Sequence, residues 1–404
     1  MPIPAIHAEF IGSSSLMRVL LAFDKFKDSL TARQACEHAA RALRELHGGW
    51  SFDCCPLADG GEGFAEILTA AAGAALTSAT VAGPRDGRPV TAHFGLVPAG
   101  NIPAAARALL TLPALAHDAP VAVVELAQAS GLALLPPKQR DLWWTTTLGT
   151  GQLIRLAAEK FGARAVVLGV GGSATHDLGL GALAALGLKF LSADGDPLHP
   201  PLPVHWVKLA RITGKISPSL PPIRIACDVS SPLLGPHGAA AVYGPQKGLQ
   251  AADLRRLDHA SARVALMLGA HSGRSDTLMD VPGTGAAGGT AFGLLCAAGA
   301  QLVPGSALVA AWLDLDARLS AADLVLTGEG RFDASTLAGK GPGAVLARAG
   351  VLGKPVHVFA GAAEIVPAMA GVQPHVITPA GTPHATALRD TAANLVRAVR
   401  AAFP

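Results

Sequence analysis

The stretch Asp323-Leu-Val-Leu-Thr-Gly-Glu-Gly-Arg-Phe-Asp-Ala-Ser-Thr-Leu-Ala-Gly-Lys-Gly-Pro342 constrains the fold more than any other part of this chain. Leu324-Val325-Leu326 is a short apolar run of the kind a parallel strand buries on both faces. Gly328-Glu329-Gly330 then predicts a sharp turn and a close approach of backbone to ligand. Arg331, Asp333, Ser335, Thr336 and Lys340 follow, and Pro342 is suited to the first turn of a helix over Gly343 to Ala349. A strand, a glycine-rich charged loop and a helix together predict an open α/β sheet with polar groups at its carboxyl edge, where such sheets bind ligands.

The rest of the chain repeats the pattern. Arg18 to Asp24 reads as a strand, and Thr31 as the N-cap of a helix from Ala32 to Leu46. Phe52 to Leu57 reads as a second strand, ending in Ala58-Asp-Gly-Gly-Glu-Gly63 before a helix from Phe64 to Ala72. From Ala75 the rhythm changes. Thr77 to Val81, Val90 to Leu96 and Val121 to Leu126 read as strands of mixed direction joined by turns. Alternation resumes after Gly283-Thr-Gly-Ala-Ala-Gly-Gly289 and continues to a closing helix over His384 to Ala402. The expected architecture is a discontinuous Rossmann-like domain of residues 17–75 and 285–404, with a mixed α/β domain inserted at 76–284 and a short N-terminal extension, 1–16.

Composition narrows the function. The 404 residues carry a formal charge of only +3, and no Lys/Arg cluster has interleaved aromatics, which argues against nucleic acid. No stretch approaches the ~18 uninterrupted apolar residues of a transmembrane helix. Residues 1–16 lack the basic and apolar regions of a signal peptide. Five cysteines without a C-x-x-C pair fit a reducing, cytoplasmic setting.

Four loops carry the chemistry: Asp24–Ser29, Asp59–Gly63, Gly171–Asp177 and Gly328–Lys340. Each follows an expected strand and sets a carboxylate beside glycine, lysine or hydroxyl groups. Such edges suit a phosphate with its counter-ion, because amides and lysine hold oxygens while carboxylates hold Mg²⁺ through water. Lys27, Arg331 and Lys340 among Asp24, Asp59, Asp177, Asp228 and Asp333 point to phosphoryl transfer, which needs positioning and charge neutralisation more than covalent catalysis. Each residue also has a plainer role. Asp59 and Asp177 can be turn or N-cap residues, Ser173, Thr175 and Thr284 can cap helices, and Lys25 and Lys27 can be a solvated face. Neither G-x-G-x-x-G nor a Walker A pattern follows the first strand, so a dinucleotide site is not supported, and Gly-Gly-Ser-Ala around Ser173 is not a nucleophile elbow.

Phe23-Asp-Lys-Phe-Lys-Asp-Ser-Leu-Thr-Ala32, Pro56-Leu-Ala-Asp-Gly-Gly-Glu-Gly63, Gly171-Gly-Ser-Ala-Thr-His-Asp177, Ala226-Cys-Asp-Val229, Tyr243-Gly-Pro-Gln-Lys-Gly248, Pro282-Gly-Thr-Gly-Ala-Ala-Gly-Gly289 and Leu326-Thr-Gly-Glu-Gly-Arg-Phe-Asp333 resemble, in order, the motifs of the bacterial glycerate kinase type 1 family. The resemblance runs over about residues 18 to 365. It departs from the family pattern at Lys25 (where serine is common), Asp28 (glycine), His176 (asparagine), Leu178 (glycine) and Ala334-Ser-Thr336 (where a glutamine is usual).

The resemblance implies an ATP- and Mg²⁺-dependent kinase of D-glycerate, most often one making the 2-phosphate. It implies a flavodoxin-like domain, an inserted restriction-endonuclease-like domain and a cleft between them, and leaves a homodimer open. Alternatives are a 3-phosphate-forming kinase, a kinase of another small hydroxy acid, an oxidoreductase and an ATP-sensing regulator. The expected catalytic residues are Lys27, Lys340, Asp177 and Asp333, with either aspartate as base. Asp24, Ser29, Asp59, Gly60, Gly61, Gly171, Gly172, Ser173, Thr175, Gly285, Gly328 and Arg331 are expected to bind substrate or phosphate, and Asp228 and Glu329 to lie near the metal.

Overall fold

A computed structural model describes residues 16–85, 87–337, 341–364 and 370–404. Its strands, in chain order, are β1 (Arg18–Phe23), β2 (Ser51–Cys54), β3 (Leu76–Ala82), β4 (Pro89–Pro98), β5 (Pro120–Glu125), β6 (Ala165–Gly169) and β7 (Leu188–Leu191). They continue with β8 (Arg211–Gly214), β9 (Ile223–Ala226), β10 (Gln301–Val303), β11 (Leu324–Phe332), β12 (Val356–Ala363) and β13 (Val372–Val376).

The chain forms two compact units, Met1–Leu57 with Leu315–Pro404, and Ala58–Asp314. This division differs from the expected one at 75/76 and 284/285. The loop after β2 belongs to the second unit because Gly171 N–H donates to the Gly60 carbonyl at 2.9 Å and the Glu125 carboxylate accepts from Gly63 and Ala65 N–H. At the return, β10 pairs with β9, so the helices on either side of it, Ala286–Ala298 and Gly305–Trp312, stay with that sheet.

The first unit holds a parallel five-stranded sheet in the order β13-β12-β11-β1-β2. Numbered within the unit, that order is 2-1-3-4-5, the flavodoxin type, and its direction of winding reverses between β1 and β11. The helix Ala32–Leu46 starts where expected: Thr31 accepts from Gln34 N–H, and the Gln34 side chain answers to Thr31 N–H. Its Ala35, Cys36, Ala39, Ala42 and Leu43, spaced three to four apart, form the apolar stripe that packs with Leu21, Leu326, Leu395 and Val399.

One expectation fails here. The chain does not turn at Gly328-Glu-Gly330; β11 runs on to Phe332, paired with β12 as far as Ala363. A Cβ at Gly328 would collide with the Phe359 carbonyl, so this glycine serves close strand packing and not a bend.

The second unit has a six-stranded sheet, β10-β9-β6-β5-β4-β3, parallel through its first four strands and antiparallel at β4 and β3. The mixed direction matches the reading of this region. β7 and β8 form a separate antiparallel pair that the sequence pattern did not reveal. Phe94, Val124, Leu168, Ile225, Leu257 and Phe292 lie in its core.

Candidate active site

In an open α/β sheet the crevice lies at the carboxyl ends of the strands beside the reversal. In the first unit β1 ends at Phe23, which is in register with Gly328 of β11, while β11 runs on past it to Phe332. Asp24 follows directly, its N–H bonded to the Gly328 carbonyl at 2.9 Å, and its side chain is almost completely buried. The carboxylate accepts from Lys25 N–H at 2.7 Å and lies 3.9 Å from Lys25 Nζ. Its other oxygen faces Gly341, where a Cβ would stand 2.8 Å away, so it lies at the amino end of the helix Gly341–Val351. The partial positive charge there favours a carboxylate, or an anionic ligand.

Residues Phe26 to Leu30 close a tight turn, with Ser29 and Leu30 N–H both donating to the Phe26 carbonyl. Ser29 Oγ also donates to that carbonyl at 2.9 Å, so its role here is to hold the turn. Asp28, where the family favours glycine, has φ 62°, a left-handed conformation that aspartate tolerates better than most residues. The turn leaves Lys27 exposed.

Past β11, Glu329 accepts from Thr336 Oγ at 2.6 Å, and Thr336 Oγ accepts from Asp333 N–H at 3.2 Å. Thr336, only 3% exposed, thus ties the two carboxylate-bearing segments together, a positioning role the sequence reading did not assign. Arg331 is mostly exposed and pairs with Glu364 and, at 3.8 Å, with Asp333. Lys340 lies outside the described residues.

In the second unit the loops Asp59–Gly63, Gly171–Asp177 and the segment after Ala226 meet at the carboxyl edge of β5, β6 and β9. Gly61 and Gly171 touch backbone to backbone: a Cβ at Gly171 would stand 2.6 Å from Gly61 Cα. Asp59 accepts from Gly61 N–H, a local turn bond. Gly60, Gly61 and Gly171 are therefore first of all packing glycines. Gly285 is likewise held by contact, its N–H donating to the Ser231 carbonyl. Gly172 has φ 70° and lies near the Glu62 side chain. Glu125, a carboxylate ending a buried strand, is pushed up to about 7 by burial, against the opposing pull of its hydrogen bonds, chiefly from Ala65 N–H.

Two of the expected site carboxylates at this edge are held by donors of the chain itself. Asp177 is fully buried and accepts from Thr146 Oγ, Thr147 N–H (2.7 Å), Thr147 Oγ, Gly179 N–H and Gly181 N–H. Burial raises its pKa and these donors oppose the rise. It anchors the start of the helix Leu180–Ala185 to that of Leu148–Glu159 and offers no oxygen to a substrate. Asp228, half-buried, accepts from Ser306 N–H (2.8 Å) and, through its other oxygen, Ser306 Oγ (3.1 Å), which caps the helix Gly305–Trp312. Leu178, the other family glycine replaced here, is buried with φ 53°.

Beneath Gly171–Asp177 is a buried polar cluster that the sequence reading did not place in the site. Lys247, 3% exposed, donates through Nζ to Ser173 Oγ at 2.7 Å and to the Thr175 carbonyl at 2.9 Å. Burial lowers its pKa to about 7, with Asp177 acting in the opposite sense. His176 bonds to Ser261 Oγ and is held neutral, down to about 3, by burial and then by Lys247. Lys247 sits in Tyr243-Gly-Pro-Gln-Lys-Gly248, so its presence in a motif was the available signal; its neighbours are turn residues that gave no hint of burial.

Among the described residues no three His, Cys, Asp or Glu side chains converge in a way that could hold a metal ion by themselves, and no helix is long and apolar enough to cross a membrane.

Glycine-rich edges of parallel strands, with carboxylates set among lysine and hydroxyl groups, define an α/β enzyme of the kind that holds small anionic ligands. Residues 19–403 match the glycerate kinase family. The chain is 37% identical over 346 residues to a glycerate kinase of Halalkalibacterium halodurans and 36% identical over 348 residues to a glycerate 2-kinase of Escherichia coli, with 85% of each chain covered in both comparisons. A crystal structure of a candidate glycerate kinase 2 from Salmonella typhimurium LT2 superposes with a TM-score of 0.73 at 34% identity, over 96% of this chain and 97% of that one. This chain belongs to the glycerate kinase family.

Proposed function

We propose that the protein transfers the γ-phosphoryl group of ATP to D-glycerate, forming 2-phospho-D-glycerate. The observation that carries this reading is the family match over residues 19–403, with relatives named glycerate kinase and glycerate 2-kinase. The polar groups flanking the β1/β11 reversal agree with it.

In this reading Asp333 takes the proton of the attacking hydroxyl. Unlike Asp177 it is partly solvent-accessible and sits on a loop end. Lys27, Lys340 and Arg331 hold phosphate or carboxylate oxygens, with the amides at the start of the helix Gly341–Val351 assisting. Asp24, directly after β1, and Glu329, within the adjacent strand β11, are hard oxygen donors that would hold Mg²⁺. Bound there, Mg²⁺ would supply charge neutralisation on the phosphates.

The test is incubation with ATP, Mg²⁺ and D-glycerate, followed by enolase with and without phosphoglycerate mutase. Enolase turnover without mutase is expected. Turnover only with mutase would mean the 3-phosphate, and no glycerate-dependent ADP release would overturn the reading. Asp333→Asn is expected to lower kcat by ~10²–10⁴-fold, with a smaller effect on KM and no change in Tm.

A further inference from the structure

We propose that Lys247 is a positioning residue that fixes the Ser173 hydroxyl as a donor toward an anionic oxygen of the bound substrate. The inference rests on the kinase reading above and adds a residue to it.

Hydrogen-bond polarity fixes the roles of the two groups. An ammonium has protons and no lone pair, so in the 2.7 Å contact Lys247 Nζ donates and Ser173 Oγ accepts. The Ser173 proton is then left for another acceptor, and none is found among the described residues. Ser173 is 7% exposed, at the carboxyl edge of β6, where the loop Gly171–Asp177 meets Asp59–Gly63. A second observation points the same way. Thr175 Oγ, two residues on, is fully buried with no hydrogen-bond partner, while the carbonyl of that residue is held by the same lysine. An unpaired buried hydroxyl costs ~1–3 kcal/mol. Ser173, its hydroxyl oxygen held by a buried cation and its proton uncommitted, presents a donor to an oxyanion at this edge.

The loop is held rigidly enough to keep this polarity. Its amino end is pinned by Gly171 N–H to Gly60, its carboxyl end by the bonds to Asp177, and His176 is fixed to Ser261. Nearby ionisable groups are Asp177, which favours the ammonium, His176, which stays neutral, Glu62 beside Gly172 and Arg140 beside Gly248. The oxyanion is the glycerate carboxylate or a nucleotide phosphate, and separate titrations tell them apart.

The experiment is a double-mutant cycle of Ser173→Ala, Lys247→Met and the pair, reading KM for D-glycerate at saturating ATP and KM for ATP at saturating D-glycerate. One charge-assisted hydrogen bond lost is expected to raise one of the two by about 10- to 100-fold in Ser173→Ala. Lys247→Met is expected to add little once Ser173 is absent, because it acts through that hydroxyl. A plain structural strut would give an additive loss instead and would overturn the proposal. Should Lys247→Met not fold, pH supplies the second reading. The lysine is charged below about 7 and neutral above it, and a neutral amine can take the Ser173 proton for itself. The affected KM is therefore expected to rise between pH 6 and pH 8 in the wild type and to stay flat in Ser173→Ala; parallel profiles overturn the proposal.

Ligand-dependent rises in Tm with D-glycerate or ATP separate this inference from the assigned activity. Turnover with unchanged KM values in Ser173→Ala removes only the roles of Ser173 and Lys247. No turnover, with a Tm rise that Ser173→Ala abolishes, removes only the activity. No turnover and no Tm rise removes both.

Discussion

Replacing Asp177 by asparagine separates its two conceivable roles. As an anchor, its carboxylate satisfies five donor groups while fully buried. An amide retains one acceptor, best placed at Oδ2, where Thr146 Oγ, Thr147 N–H, Thr147 Oγ and Gly181 N–H converge. The new NH₂ then points at Gly179 N–H, formerly 3.1 Å from Oδ1, so donor faces donor. At ~1–3 kcal/mol for each buried group left unpaired, and with some relief from no longer burying a charge, the net cost is about 3 kcal/mol. For a unit of this size that lowers Tm by roughly 10 °C. Differential scanning calorimetry of Asp177→Asn, beside kcat measured well below its Tm, reads both quantities. The anchor role predicts a large fall in Tm with kcat largely kept in the molecules that remain folded. A variant with wild-type Tm and a kcat reduced 10²-fold or more would refute the argument and restore Asp177 as the base.

Asp228→Ala removes the two bonds to Ser306 and is expected to cost ~1 kcal/mol as a lost helix cap, visible in urea melts, with no change in Mg²⁺ dependence of the rate. A shift in the Mg²⁺ requirement would return Asp228 to the metal. Acid should destabilise the fold through its buried imidazoles. His357, bonded to His375 and tilted against Phe403, is lowered to about 4 by burial and then by His375, and His176 to about 3. Folded pKa values below the ordinary 6.5 mean that the unfolded chain binds more protons, so stability is full above pH 6.5 and is lost as pH falls toward 4. The loss from His357 is on the order of 3 kcal/mol. His357→Phe should flatten the urea midpoint between pH 7 and pH 5, and an unaltered pH slope would contradict this.

Much of the fold was legible because it is written in local rules. Thr31 announced a helix start, Leu324-Val-Leu326 a buried strand, and the changed rhythm after Ala75 a mixed sheet. Each depends on residues close in sequence: a cap, a run, a period. β7 and β8 were missed because they pair only with each other and carry no strong alternation. Gly328–Gly330 misled because glycine serves turns and close packing equally, and only the position of Phe359 selects between them.

The site divided along the same line. That carboxylates, lysines and hydroxyls would gather at strand ends was determined by sequence, since strand, glycine loop and helix can present polar groups only at the carboxyl edge. Which of them stays open to solvent was decided by tertiary structure. Asp177 and Asp333 look alike in one dimension, but five donors close over the first, while the second stays partly exposed. Lys247, 74 residues from Ser173, gained its role only when the fold buried it under that loop. A side chain's charge and hydrogen-bonding capacity are properties of the residue. Whether water or protein meets that capacity depends on groups the chain brings from far away.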